Sequence, residues 1–151
     1  MERVLELKYK HFDSIEMLST DDLDLIHAAQ EASKKAHAPY SHFHVGAAAR
    51  LSNGEIISAA NCESEVFPSG MCAERSLLYF LQTNYTDESI SSIAIASSPD
   101  HRECTPCGAC RQALLDAERR QQTPIKIIMS SHTSATIVTS AEILLPFSFR
   151  L

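Results

Sequence analysis

The stretch ISSIAIASSPDHRECTPCGACRQALLDAERRQQTPIKIIM, residues 90–129, decides the fold. It opens on an apolar run from Ile90 to Ala96, where Ile90, Ile93 and Ile95 mark a buried strand. A loop over 99–106 follows, then a helix over 107–120, then a second apolar run from Ile125 to Met129. A strand–helix–strand unit of this length is long enough for a right-handed crossover between parallel strands. On its N-terminal side, Pro68-Ser69-Gly70 breaks the chain, and 72–82 reads as a helix with Leu77, Leu78 and Leu81 on one side. Residues 43–51 and 55–61 flank Ser52-Asn53-Gly54, and Asn-Gly between two strand-like runs signals a hairpin. Ser19-Thr20-Asp21-Asp22 is a helix start, with Leu23, Ile26, His27 and Gln30 at helical spacing up to about His37. Pro39 ends that helix. Residues 2–12 alternate loosely (Leu5, Leu7, Tyr9), as an edge strand does, and Ala135 to Val138 reads as a last strand before a short helix stopped by Pro146. The expected architecture is α/β: a three-layer sandwich around a central mixed five-stranded sheet, with residues 1–151 as one domain and 1–20 as an N-terminal edge extension.

Composition bounds the function. Hydrophobic residues make up 44% and charged residues 21% of the 151, which excludes a disordered or collagen-like chain. The formal net charge of −6, without a basic stripe, argues against a long nucleic acid as partner. No apolar run approaches the roughly 20 residues that span a bilayer. The Met1–Glu6 start has no apolar secretory segment, so a cytoplasmic location is expected. Cys62, Cys72, Cys104, Cys107 and Cys110 are then expected as reduced thiols.

Three of those cysteines carry the chemistry. Pro106-Cys107-Gly108-Ala109-Cys110 places a Cys-x-x-Cys pair at a helix start, and positions i and i+3 share a helix face. A helix N-terminus favours thiolates, and thiolate is the form that binds zinc. By itself the pair also suits redox chemistry or plain packing. Cys72-Ala73-Glu74 stands at the other helix start. Cys72 could complete a three-thiolate set and leave a fourth position for water, the pattern of a catalytic zinc. Glu74 then suits an acid/base role, against the simpler reading of a first-turn capping glutamate.

Cys-x-Glu followed downstream by Pro-Cys-x-x-Cys is the zinc deaminase signature with cysteine in place of histidine. The sequence resembles the small zinc-dependent cytidine deaminases that act on free nucleosides. The resemblance runs from about Ala38 through Pro146. It includes Pro39-Tyr40-Ser41-His42-Phe43-x-Val45-Gly46-Ala47-Ala48, Asn61-x-Glu63, Pro68-x-Gly70-x-Cys72-Ala73-Glu74-Arg75 and Pro106-Cys107-Gly108-Ala109-Cys110-Arg111-Gln112. It implies a cytidine deaminase-like fold and one Zn2+ per subunit on Cys72, Cys107 and Cys110, with Glu74 as proton shuttle. It implies hydrolysis of cytidine and 2′-deoxycytidine to uridine and 2′-deoxyuridine with release of ammonia. Asn61 and Glu63 resemble residues that hold the ribose hydroxyls, Phe43 the aromatic against the pyrimidine, and the Ala73 N–H a donor to the base carbonyl. Family members are homotetramers with pockets at subunit boundaries, where Phe149 matches an aromatic reaching across. Phe67 stands where a tyrosine is common, and Glu65 where relatives are small and apolar.

Zinc with three thiolates sums to −1, which blunts its Lewis acidity. Two helix N-termini and Arg75 beside Cys72 are expected to offset that charge. Cys104 reads as a loop thiol outside the site, and the histidines have no mutual ligand spacing. Two other readings stand beside the enzyme. One is a structural metal module, which has no use for Glu74. The other is deamination of a different cytosine nucleoside, such as a nucleoside antibiotic.

Overall fold

The computed structural model describes residues 1–151. One six-stranded sheet runs through it: β1 Lys10–Phe12, β2 His44–Leu51, β3 Ile56–Ala60, β4 Ile90–Ser98, β5 Lys126–Ser130 and β6 Ala135–Val138, in the order β1-β6-β5-β4-β2-β3. The helices are α1 Thr20–Ser33, α2 Ala73–Asn84 and α3 Gly108–Gln121. Short 3-10 turns lie at Ile15–Met17, Phe67–Ser69 and Ala141–Leu144. β4 and β5 pair in parallel, Ile93 opposite Ile127, with α3 as the crossover; every other pair is antiparallel.

Layering follows from which face each strand residue covers. Ile93 and Ile95 pack into the core that includes Leu77, Leu78, Leu114 and Leu115 from α2 and α3. Ala94 and Ala96 turn to the opposite face, where Leu25, Ile26 and Ala29 of α1 meet Ala48 and Ile128. Both faces of β4 are covered, so its sequence is a continuous apolar run rather than an alternation. The α1 face is built from small residues because the helix approaches closely. A Cβ on Gly46 would lie 1.9 Å from the Ala29 carbonyl oxygen. The β2–β3 hairpin turns at Ser52-Asn53-Gly54, with Gly54 at φ +89°, a left-handed conformation that suits glycine. No helix is long and apolar enough to cross a membrane.

The sheet has six strands, not five. Lys10–Phe12 adds at the edge by pairing with β6, Lys10 opposite Ile137. The expected strand over 2–12 shrinks to these three residues, because Leu5, Leu7 and Tyr9 stay exposed and unpaired. α1 stops at Ser33 rather than near His37. The chain is captured there by another segment: the His37 N–H donates to Asn61 O, and the Glu63 N–H to His37 O.

Candidate active site

The three clustered sulfurs come from the N-termini of α2 and α3. Cys72 and Cys107 are the residues that cap these two helices, and neither side chain spends itself on a capping hydrogen bond. The turn at Phe67–Ser69 and the reciprocal main-chain bonds between Cys62 and Met71 bring Cys72 beside Asn61–Glu63. On the other side, Arg111 fixes the approach to Cys107. Its Nε donates to Pro106 O at 2.9 Å and its Nη1 to Leu144 O at 3.1 Å.

The Cys72, Cys107 and Cys110 sulfurs lie within 4.8 Å of one another, Cys72 and Cys107 at 4.0 Å. Zn–S bonds of about 2.3 Å in a tetrahedron place sulfurs about 3.8 Å apart, so this set fits zinc with little adjustment. The acid–base state of Cys72 agrees. Hydrogen bonding from Cys110, joined by Arg75 and Cys107, lowers the Cys72 thiol to about 5 against the opposing effect of burial. Cys110, which supplies that bond and is fully buried, is pushed upward. The Arg75 Nη2 donates to Cys72 Sγ at 3.7 Å, and the sulfur in turn raises the guanidinium's affinity for its proton. Arg75 therefore sits where it offsets thiolate charge.

A cavity of about 240 Å³ opens beside the sulfurs. Glu74 lines it and is only 4% exposed. Burial, with a smaller contribution from the Cys72 charge, pushes its carboxyl above the usual range. A carboxyl raised by burial is held closer to its protonated form, which suits a group that both takes and gives a proton. Ala73 and Phe43 also line the cavity, with Ala73 at the helix start where main-chain N–H groups lack helical partners.

Asn61 and Glu63 form the rim and also hold its wall. Asn61 Oδ1 accepts from the Val45 N–H at 2.8 Å, and its Nδ2 donates to Phe43 O at 2.9 Å. Glu63 Oε1 accepts from the Tyr40 and Ser41 N–H groups at 3.0 and 3.1 Å. The Ser41 hydroxyl and these N–H groups keep the Glu63 carboxyl below its ordinary value.

The remaining expected site residues stand apart. Phe67 is 75% exposed and lines an adjoining cleft with Tyr40, Met71 and Arg75, edge-on to the Tyr40 ring at 5.8 Å. Phe149 lies in the C-terminal tail against Arg119 on the outer side of α3, away from the cavity of this chain. Four lining residues were not among the expected site residues: Ser41, Val45, Cys104 and Thr105. Ser41 and Val45 stand inside the Pro39–Ala48 motif. Cys104, read as outside the site, is buried in its wall, because a Cys104 N–H bond to Ser130 O turns the loop inward.

Comparison with known proteins agrees with this geometry. The family model for the cytidine and deoxycytidylate deaminase zinc-binding region matches residues 19–123. A probable cytidine deaminase of Dictyostelium discoideum is 42% identical over 87 residues, 58% of this chain and 58% of that relative, so the match spans less than two thirds of its length. The cytidine deaminase of Halalkalibacterium halodurans is 39% identical over 93 residues, 61% of this chain and 68% of that protein. The crystal structure of cytidine deaminase from Burkholderia pseudomallei superimposes with a TM-score of 0.73 at 31% identity, covering 84% of this chain and 98% of that one. A sulfur triad that fits zinc, set beside a buried glutamate and inside a match covering most of its length, places the chain in the cytidine and deoxycytidylate deaminase zinc-binding family.

Proposed function

We propose that this protein converts cytidine and 2′-deoxycytidine, with water, to uridine and 2′-deoxyuridine plus ammonia, as a step of pyrimidine salvage. One observation carries the reading: Glu74 is buried in the same cavity that the three-sulfur cluster borders. A closed structural metal site leaves no room for such a carboxyl.

Cys72, Cys107 and Cys110 would hold a zinc ion, which would supply the Lewis acidity that makes a water molecule nucleophilic at neutral pH. Glu74 accepts a proton from that water as oxygen attacks C4 of the base. It delivers that proton to N3, then takes the remaining proton from the new C4 hydroxyl and passes it to the 4-amino group, which departs as ammonia as the C4–N bond breaks and the carbonyl forms, so one carboxyl serves each transfer. Phe43 packs against the ring, and the Ala73 N–H meets the base carbonyl. The spare Asn61 N–H and the Glu63 carboxylate receive the ribose hydroxyls, while Arg75 holds Cys72 in its thiolate form. The chain acts as a single catalytic domain in a homotetramer, and Phe149 and Phe67 reach substrate at the boundary between copies. Reduced thiols suit a cytoplasmic setting.

The test mixes zinc-loaded protein with cytidine and, separately, with 2′-deoxycytidine, and follows ultraviolet absorbance and ammonia, beside Glu74→Gln. Turnover by the native protein and a loss of about 10²-fold or more in the variant are expected. No turnover of either nucleoside would refute the activity, and a fully active Glu74→Gln would refute the mechanism.

A further inference from the structure

Cys104 is a lining residue that the reaction leaves without a task. Its side chain is 7% exposed and shares the cavity wall with Glu74, Thr105 and Cys107. It is held in place from both central strands. Its N–H donates to Ser130 O at the end of β5, at 3.0 Å, and Ser97 near the end of β4 lies beside the thiol. Burial pushes that thiol up to about 11, so it is a neutral group near pH 7. It stands outside the sulfur cluster that fits the metal. What it contributes is a fixed, neutral volume beside Glu74.

Resting on the deaminase reading, the ring's placement follows from its chemistry. C4 must lie beside Glu74 and the three sulfurs. The sugar hangs from N1, across the ring from C4, and meets Asn61 and Glu63 at the rim. A wall residue at the depth of Glu74 therefore faces the ring atoms that flank C4. One of these is N3, which carries no substituent and turns to Glu74 for its proton. The other is C5, which carries a hydrogen in cytosine.

We propose that Cys104 gauges the group at C5, so that it determines how well this enzyme accepts 5-substituted cytosine nucleosides. A fitted apolar wall discriminates one methyl group by roughly 10–200-fold. Removing Sγ opens about the space a methyl needs, whereas a larger side chain fills it.

The experiment measures kcat/KM for cytidine and 5-methylcytidine with the zinc-loaded full chain and with Cys104→Ala, Cys104→Leu and Cys104→Ser. The ratio of 5-methylcytidine to cytidine is expected to rise roughly tenfold in the alanine variant and to fall roughly tenfold in the leucine variant. Serine, the closest in size, keeps the ratio near its native value. An unchanged ratio in the alanine and leucine variants, with both substrates losing the same factor, overturns the assignment and leaves Cys104 a packing residue. Should the leucine variant fail to fold, the alanine variant decides alone. Failure of the native protein to turn over cytidine overturns the deaminase reading. Turnover with an invariant ratio overturns only the role of Cys104.

Discussion

Asn61 is expected to hold the pocket together as well as line it, and the two functions can be separated. Its Oδ1 accepts the Val45 N–H at 2.8 Å and its Nδ2 donates to Phe43 O at 2.9 Å, pinning the start of β2. Asn61→Ala removes both bonds. Each contributes about 0.5–1.5 kcal/mol net, so the expected loss is about 1–3 kcal/mol. For a chain of this size that corresponds to a fall in Tm of roughly 4–8 °C around the middle of the range. Asn61→Asp distinguishes geometry from mere size. It keeps an acceptor for Val45 but turns a second oxygen toward the Phe43 carbonyl. Protonation restores a donor there, which raises the folded-state pKa of the new carboxyl. Its favourable contribution is therefore present below the unfolded pKa and is lost as pH rises through the folded one. Thermal unfolding of zinc-loaded protein at pH 7 and pH 4 reads this directly: the deficit of Asn61→Asp against native protein narrows at the lower pH. An alanine variant that melts with the native protein, or an aspartate deficit that widens on acidification, would refute the reasoning.

Three further outcomes are expected. Gly46→Ala would set a methyl 1.9 Å from Ala29 O and 2.5 Å from Ser33 N, so α1 must shift and the fold lose about 3 kcal/mol or more; a urea unfolding curve within about 1 kcal/mol of native contradicts this. Arg75→Ala keeps the fold but weakens zinc affinity or turnover by roughly 10–100-fold, as seen by chelator competition and steady-state rates; unchanged zinc affinity and turnover would count against an electrostatic role. The Glu63 carboxyl is held below 4.5, so its contribution is present above the unfolded value and lost as pH falls through the folded one. The gap in Tm between native protein and Glu63→Gln should accordingly close on acidification, and a gap that grows would exclude the Tyr40 and Ser41 bonds as its source.

The parts legible in sequence were those written in local spacing. Cys72 with Glu74, and Cys107 with Cys110, stand at helix starts whose periodicity follows at once, so their grouping could be expected before their geometry. The hairpin at Asn53-Gly54 and the crossover from β4 to β5 are local as well. β1 was poorly bounded because three residues pair with β6 from the far end of the chain, and neighbouring Leu5 and Leu7 imitate a strand without a partner. The end of α1 is set by Asn61 and Glu63 capturing His37, which no helix signal reveals. Cys104 lacks any periodic context; only its bond to Ser130 turns it inward. The doubled duty of Asn61 and Glu63 likewise depends on partners some twenty residues away in the chain.

The sulfur-held zinc is tested most directly by metal analysis and zinc-edge X-ray absorption on purified, active protein. One zinc per chain is expected, with three sulfur neighbours at about 2.3 Å, and with turnover that disappears on chelation and returns with zinc. Active protein lacking zinc, or holding it without sulfur neighbours, would contradict the account.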